Sequence, residues 1–128
     1  MGSEERPRFL DRGEERHFSA GESLWSNEEE ALVCYVLSGE ILYSFPHEAD
    51  ESQIVCREGM LLGIVDTHLQ EASAIFSAKA TKDSQVYCWT REQFSLALGI
   101  YQELARQTIQ TLSKRLRNVN ELLRRAKD

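Results

Sequence analysis

What the sequence lacks narrows its chemistry before any residue is given a role. No apolar run approaches the roughly 20 residues that a membrane-spanning helix needs, and the opening MGSEERPRFLDRGEER has no apolar stretch of the kind that directs secretion. A cytoplasmic protein with no membrane partner is the expectation. Cysteine is scarce: Cys34, Cys56 and Cys88 are widely spaced, odd in number and without a CxxC pair, which argues against a disulfide framework or a zinc site. Each sits in an apolar run, so buried reduced thiols are expected. Histidine is as sparse, with His17, His47 and His68 lying 30 and 21 positions apart and no His-x-His among them. A small metal-dependent barrel enzyme of the cupin kind would need that pair, a nearby glutamate and a later histidine to hold its ion. Nor does any spacing suggest a Ser-His-Asp or Cys-His grouping. The sequence therefore predicts no catalytic residue, no metal ligand and no enzyme. Finally, no arginine or lysine lies between Arg57 and Lys79.

What is present describes one globular unit. Hydrophobic residues make up 41% and charged residues 28% of the 128 positions, enough apolar material for one core and too little length for two domains. The net charge of −6 conceals an uneven distribution. Residues 101–128 carry seven basic against three acidic side chains, whereas residues 1–100 carry eight against eighteen.

The pattern changes at nearly the same place. After an N-terminal segment, 1–15, residues from about Arg16 to Thr90 alternate with period two and are interrupted every eight to twelve residues by turn chemistry, as at Ala20-Gly21-Glu22, Ser38-Gly39-Glu40 and Pro46-His47-Glu48-Ala49-Asp50. Ile41, Tyr43 and Phe45 share one strand face; Ala74, Phe76, Ala78 and Ala80 share another; Val86 and Cys88 alternate with Tyr87 and Trp89. Roughly eight short strands closed into a mainly β sandwich or barrel are expected. Thr90 and Gln93 have the spacing of a capping box, which predicts a short helix to about Leu98, with Phe94 and Leu98 on one side and Gly99 ending it. The roll with this helix is assigned to 16–98, and the remainder, 99–128, to a second, long helix.

In that last segment Ala105, Ile109, Leu112, Leu116, Val119, Leu123 and Ala126 are spaced 4, 3, 4, 3, 4, 3. This is a heptad seam, and a helix of about 27 residues would be about 40 Å long, too long to bury its whole stripe on its own barrel. A parallel two-stranded coiled coil between two copies, a homodimer, is the expected arrangement; an amphipathic helix packed on its own chain is the other one. Arg124, Arg125 and Lys127 suit a helix C-terminus.

The run HFSAGESLWSNEEEALVCYVLSGEILYSF resembles the opening of the cyclic-nucleotide-binding fold of the Crp/Fnr (catabolite-activator and fumarate-nitrate-regulator) family through Phe18, Gly21, Glu22, Tyr35, Val36, Leu37, Ser38 and Gly39. Gly59 and Gly63 fall where that family has its Gly-x-x-x-Gly, Phe94 matches the aromatic residue of the helix after the last strand, and the terminal seam is similar to the family's dimerisation helix. The resemblance spans about residues 16–128. It implies a jelly-roll sensor domain followed by a long dimerisation helix.

In nucleotide-binding members a glutamate takes the ribose hydroxyl and an arginine the cyclic phosphate. By the resemblance those positions fall here on Ile64 and Ala72, with Gly63, Ser73 and Ala74 kept and the loop about two residues shorter. A phosphate removed from water needs a charge-assisted donor, and Asp66 and Glu71 would repel it, so cyclic AMP is not expected to bind through the usual pair. Leu61, Leu62, Ile64 and Val65 supply an apolar wall and Thr67, His68 and Ser73 a few polar groups, the makings of a small-molecule site; equally, these residues would simply fill the barrel. The expected ligand-binding set is Leu62, Gly63, Ile64, Val65, Thr67, His68, Ser73, Ala74 and Asn120. The last is included because family members reach the ligand across the dimer from small polar residues of this helix; Asn118 and Asn120 also read as surface amides. Some members sense gases through haem, for which His68 or a cysteine would be the axial ligand, although no haem motif is present.

The resemblance further implies a role as the effector-sensing and dimerisation domain of a transcription regulator that meets DNA through a helix-turn-helix domain beyond this segment. A stand-alone ligand- or haem-binding sensor is the other reading. The effector is unknown.

Overall fold

A computed structural model describes residues 6–25, 32–44, 53–64 and 77–127; in the last helix the side chains are described as far as Lys114 and at Arg117 and Arg124. Seven strands lie among the described residues: β1 (Glu14–Phe18), β2 (Val33–Ser38), β3 (Glu40–Ser44), β4 (Gln53–Arg57), β5 (Leu61–Leu62), β6 (Ser77–Ala80) and β7 (Ser84–Trp89). They form two antiparallel sheets, in the orders β1-β7-β2-β5 and β4-β3-β6.

The period-two residues become the core between these sheets. Ile41 and Tyr43 of β3 point inward with Ala78 and Ala80 of β6, and they meet Cys34 and Val36 of β2 and Val86 and Cys88 of β7. Leu42 and Ser44, on the other parity, stay half-exposed. The tight turn between β2 and β3 depends on Gly39, which has φ +94°; a Cβ there would collide with Ser84 Oγ. Ser84 is itself buried, accepting a hydrogen bond from the Glu40 N–H at 3.0 Å and donating to the Lys82 carbonyl at 2.8 Å. All three cysteines are buried thiols. The Sγ atoms of Cys34 and Cys88 lie 3.5 Å apart on facing strands. Hydrogen bonding to Cys88 and burial push the Cys34 thiol well above the usual range, which keeps it protonated and unreactive.

A second core covers the outer face of the four-stranded sheet, where alternation alone would place solvent. Trp89 is fully buried there among Phe9, Val33, Leu61 and Phe94, its ring 5.5 Å from that of Phe94, edge to face. The Trp89 Nε1–H donates to the Asp11 carbonyl at 2.7 Å, and Tyr101 donates to the Asp11 carboxylate at 2.8 Å. Phe9, ahead of the first strand, is thus part of the core.

Two helices complete the chain. Helix α1 (Arg91–Ile100) starts on the expected capping box: the Gln93 N–H donates to Thr90 Oγ1, and the Thr90 N–H donates to Gln93 Oε1 at 2.9 Å. Replacing Thr90 by Ala is expected to destabilise the protein by about 1 kcal/mol, read as a lower urea midpoint with an unchanged slope. Gly99 does not end this helix as its sequence suggests. The helix runs to Ile100, and the extended Tyr101 is its C-cap, donating its N–H to the Ala97 carbonyl. Phe94 and Ala97 anchor the last turn against the second core, which holds the helix past the glycine. Helix α2 (Gln102–Lys127) follows as a single 26-residue element.

Candidate functional site

Between the three-stranded sheet, the β4–β5 turn and α2 lies a cavity of about 310 Å³. Its floor is built by strand parity, which turns Tyr43 and Cys56 inward, while Ile54 flanks them. The β4–β5 turn supplies a second wall through Gly59 and Met60. The turn is fixed by backbone bonds from Gly59 N–H to the Val36 carbonyl at 2.8 Å and from Met60 N–H to the Arg57 carbonyl at 3.0 Å. Leu61, Leu62, Gly63 and Ile64 close that side. Gly63 has φ +84°, and a Cβ on it would strike the carbonyl oxygen of Leu32, so glycine alone lets the chain pass here.

The wall opposite is α2, through Gln107, Gln110, Thr111, Leu112 and Lys114. The Gln107 Nε2–H donates to the Gly59 carbonyl at 2.7 Å, which pins this helix to the turn. The Thr108 and Thr111 hydroxyls donate back to the Leu104 and Gln107 carbonyls.

Of the ligand-binding residues expected from sequence, Leu62, Gly63 and Ile64 stand in this cavity's wall. Val65, Thr67, His68, Ser73 and Ala74 lie outside the described residues, as does the side chain of Asn120, whose backbone is helical. Ile64, at the position where the resemblance implies a glutamate, is buried beside the second core. The helix wall was missed. Its signal is present in the sequence as a polar stripe, Gln107, Gln110, Thr111 and Lys114, with the i, i+3, i+4, i+7 spacing of one helix face.

That stripe lies on the side of α2 away from the heptad seam. Leu104 is fully buried and Thr108 nearly so against the chain's own roll, whereas Ile109 is 64% and Leu112 38% exposed and Ala105 is half-buried. The side chains of Leu116, Val119, Leu123 and Ala126 lie outside the described set. Of the described seam residues Ile109 is thus turned away from the roll, whereas Leu112 reaches the edge of the cavity.

Electrostatics within the cavity are simple. Lys114 is the one charged residue among the described lining residues. Arg57, nearby in sequence, is paired with Glu40 at 3.5 Å, and Glu40 also accepts from Thr81 Oγ1 at 2.8 Å; that hydrogen bond, with the Lys82 and Arg57 cations, holds its carboxyl below the usual range. Among the described residues no three His, Cys, Asp or Glu side chains come together as a metal site would require, and no helix is long and apolar enough to cross a membrane.

No family model and no curated protein matches this sequence. Solved structures do match its shape. The catabolite activator protein of Thermus thermophilus is 20% identical, with a TM-score of 0.75 over 93% of this chain and 57% of that one. Oxidized CprK in complex with o-chlorophenolacetic acid gives 12% identity and a TM-score of 0.70 over 91% of this chain and 48% of its own. A CooA mutant from Carboxydothermus hydrogenoformans gives 16% and 0.66 over 90% and 74%. The chain thus spans about half the length of the first two. At such low identity the likeness is one of fold: the chain has the cyclic-nucleotide-binding-like β-roll, followed by helices, that the Crp/Fnr-type sensor domains share.

Proposed function

We propose that this chain is the effector-sensing and dimerisation part of a cytoplasmic, Crp/Fnr-type transcription regulator that contacts DNA through a separate helix-turn-helix domain. The observation that carries the reading is the double use of α2. One face closes the cavity through Gln107, Gln110, Thr111 and Lys114, and the other presents Ile109 to solvent. A molecule in the cavity touches the same helix whose far side suits a second copy. An occupant that fits one setting of α2 against the roll better than another shifts the population of paired helices, by no more than its difference in affinity for the two settings. The Gln107–Gly59 hydrogen bond is a tether that such a shift would strain or release.

The effector is not expected to be a cyclic nucleotide held by a Glu/Arg pair, because the apolar Ile64 side chain stands where a carboxylate would accept from the ribose. As donors to a haem iron, the described lining residues offer no histidine but the Cys56 thiol, the Met60 thioether and the Tyr43 phenol, and Met60 Sδ already accepts from the Arg57 N–H at 3.3 Å. An organic effector suits these walls better. Among the described lining residues no nucleophile, base and orienting group come together.

Thermal melts of the full chain against cyclic nucleotides, fatty acids and small aromatic acids test the reading, since a ligand that binds only the native state raises the midpoint. The variant Gln110→Trp, at an exposed position on the cavity's helix wall, should abolish any stabilisation while itself melting normally. Absence of any hit, or hits indifferent to Gln110→Trp, would contradict the assignment of the cavity.

A further inference from the structure

We infer that Cys34 and Cys88 are a reversible dithiol–disulfide pair, a modification site inside the roll that closes a covalent bond between β2 and β7 when hydrogen peroxide takes up its electrons. The site is separate from the cavity and does not depend on what occupies it.

Strand register brings the two sulfurs together. Cys34 stands directly opposite Cys88 in the antiparallel pairing of β2 with β7, and both side chains belong to the core between the sheets. Residues opposed in this way have Cα atoms about 4.5 or 5.5 Å apart, and a disulfide accepts Cα separations of about 4.4–6.8 Å. The strands thus already have the spacing of the bond. The Sγ atoms are 3.5 Å apart and must come within about 2 Å, a movement of side chains rather than of strands. Cys56, the third thiol of this core, lies on β4 in the other sheet, opposite Ile41.

The two thiols are not equivalent. Hydrogen bonding from Cys34 holds the Cys88 thiol below its usual range against the effect of burial, and the Arg16 cation adds to it. Cys34, the donor, stays protonated. Cys88 is therefore the sulfur that meets the oxidant, and Cys34 the one that resolves the product. Burial limits the oxidant: with Cys34 0% and Cys88 2% exposed, a protein or peptide disulfide is shut out, and a reagent hardly larger than water is required. The Cys88 thiolate attacks one oxygen of hydrogen peroxide, the O–O bond breaks, and the departing hydroxide takes the proton that Cys88 gave up, leaving water and a sulfenic acid. The Cys34 sulfur then displaces the sulfenic hydroxyl, which leaves with the Cys34 proton as a second water. Two thiols have lost two electrons and two protons, and one peroxide has become two waters. The bond fixes one row of the sheet, Leu62–Cys34–Cys88, which runs from the cavity wall on β5 to the strand that enters α1.

Intact-mass measurement of thiol labelling tests the inference. The reduced, folded full chain is treated with a modest excess of hydrogen peroxide, quenched with catalase, unfolded in guanidinium and alkylated with N-ethylmaleimide. Untreated chain takes three labels, one for each free cysteine. Oxidised chain should lose two of them and keep the label on Cys56, and proteolysis should release a linked Cys34–Cys88 peptide pair that dithiothreitol separates. Three labels after peroxide, a link that includes Cys56, a link between two chains or a sulfinic acid in place of the link would each overturn the inference, and all are read on the wild-type chain. Cys34→Ala should carry Cys88 on to the sulfinic acid, whereas Cys88→Ala should leave Cys34 a thiol under the same treatment. Equal oxidation of the two variants would overturn the assignment of Cys88 as the attacking sulfur.

Discussion

Gly63→Ala is expected to lower the stability of the chain by roughly 3–5 kcal/mol, a large part of the roughly 5–15 kcal/mol that holds a domain of this size together. Two costs combine at this position. The backbone sits at φ +84°, where a side chain costs about 1–2 kcal/mol. The new Cβ would also overlap the carbonyl oxygen of Leu32 and lie 3.4 Å from the Trp25 ring. A backbone oxygen ahead of β2 cannot swing aside like a side-chain tip, so either β2 or the cavity edge must move. Gly21→Ala is the control, since Gly21 has φ +95° with nothing within 4 Å of its Cβ direction and should lose only the conformational part, about 1 kcal/mol. Urea denaturation of the two variants separates the costs, and equal losses would show that the overlap is relieved freely. A melting midpoint lower by roughly 10–15 °C for Gly63→Ala is the thermal counterpart.

The same glycine shows why part of this protein is legible in its sequence. A period of two is a direct consequence of strand geometry, so Ile41, Tyr43, Ala78, Ala80, Val86 and Cys88 could be placed on inner faces from spacing alone. Capping chemistry is equally local, and Thr90 with Gln93 marks the start of α1 to the residue. What was not legible depends on partners distant in the chain. Trp89 has the parity of an exposed residue and is buried because Phe9 and Asp11 of the N-terminal segment and Phe94 of α1 cover it. Gly99 has the composition of a helix end, yet burial of Ala97 carries the helix beyond it. The cavity divides in the same manner. Leu62, Gly63 and Ile64 follow from the resemblance, whereas Tyr43, Cys56 and Lys114 join them only once α2 lies along the β4–β5 turn, a tertiary fact that no local period encodes. The polar stripe from Gln107 to Lys114 was visible, but beside a regular heptad seam it reads as a solvated helix face.

On the proposed pairing of two copies along α2, Ile109→Lys is expected to leave a monomer without unfolding the roll, because Ile109 is turned away from its own roll. Ile109 is 64% exposed in the chain alone, so a lysine there disturbs little within the subunit; Leu104, five residues earlier on the face toward the roll, is fully buried, and Leu104→Lys should unfold the chain instead. In a parallel coiled coil, Ile109 of one copy faces Ile109 of the other, so one substitution acts twice across the seam. Burial of each isoleucine contributes about 1.5–3 kcal/mol, and two facing ammonium groups repel each other besides. A loss of about 3–6 kcal/mol raises the dissociation constant roughly 10²- to 10⁴-fold. Sedimentation at micromolar concentration should then report a species near 14.7 kDa in place of one of twice that mass, with the far-ultraviolet circular dichroism of the roll preserved. Wild-type sedimentation by Ile109→Lys would show that the exposed stripe has another purpose, and the coupling between cavity and helix pair would lose its second half. Retention of ligand stabilisation in the monomeric variant would instead locate binding within one subunit, on the face of α2 that carries Gln107 and Lys114.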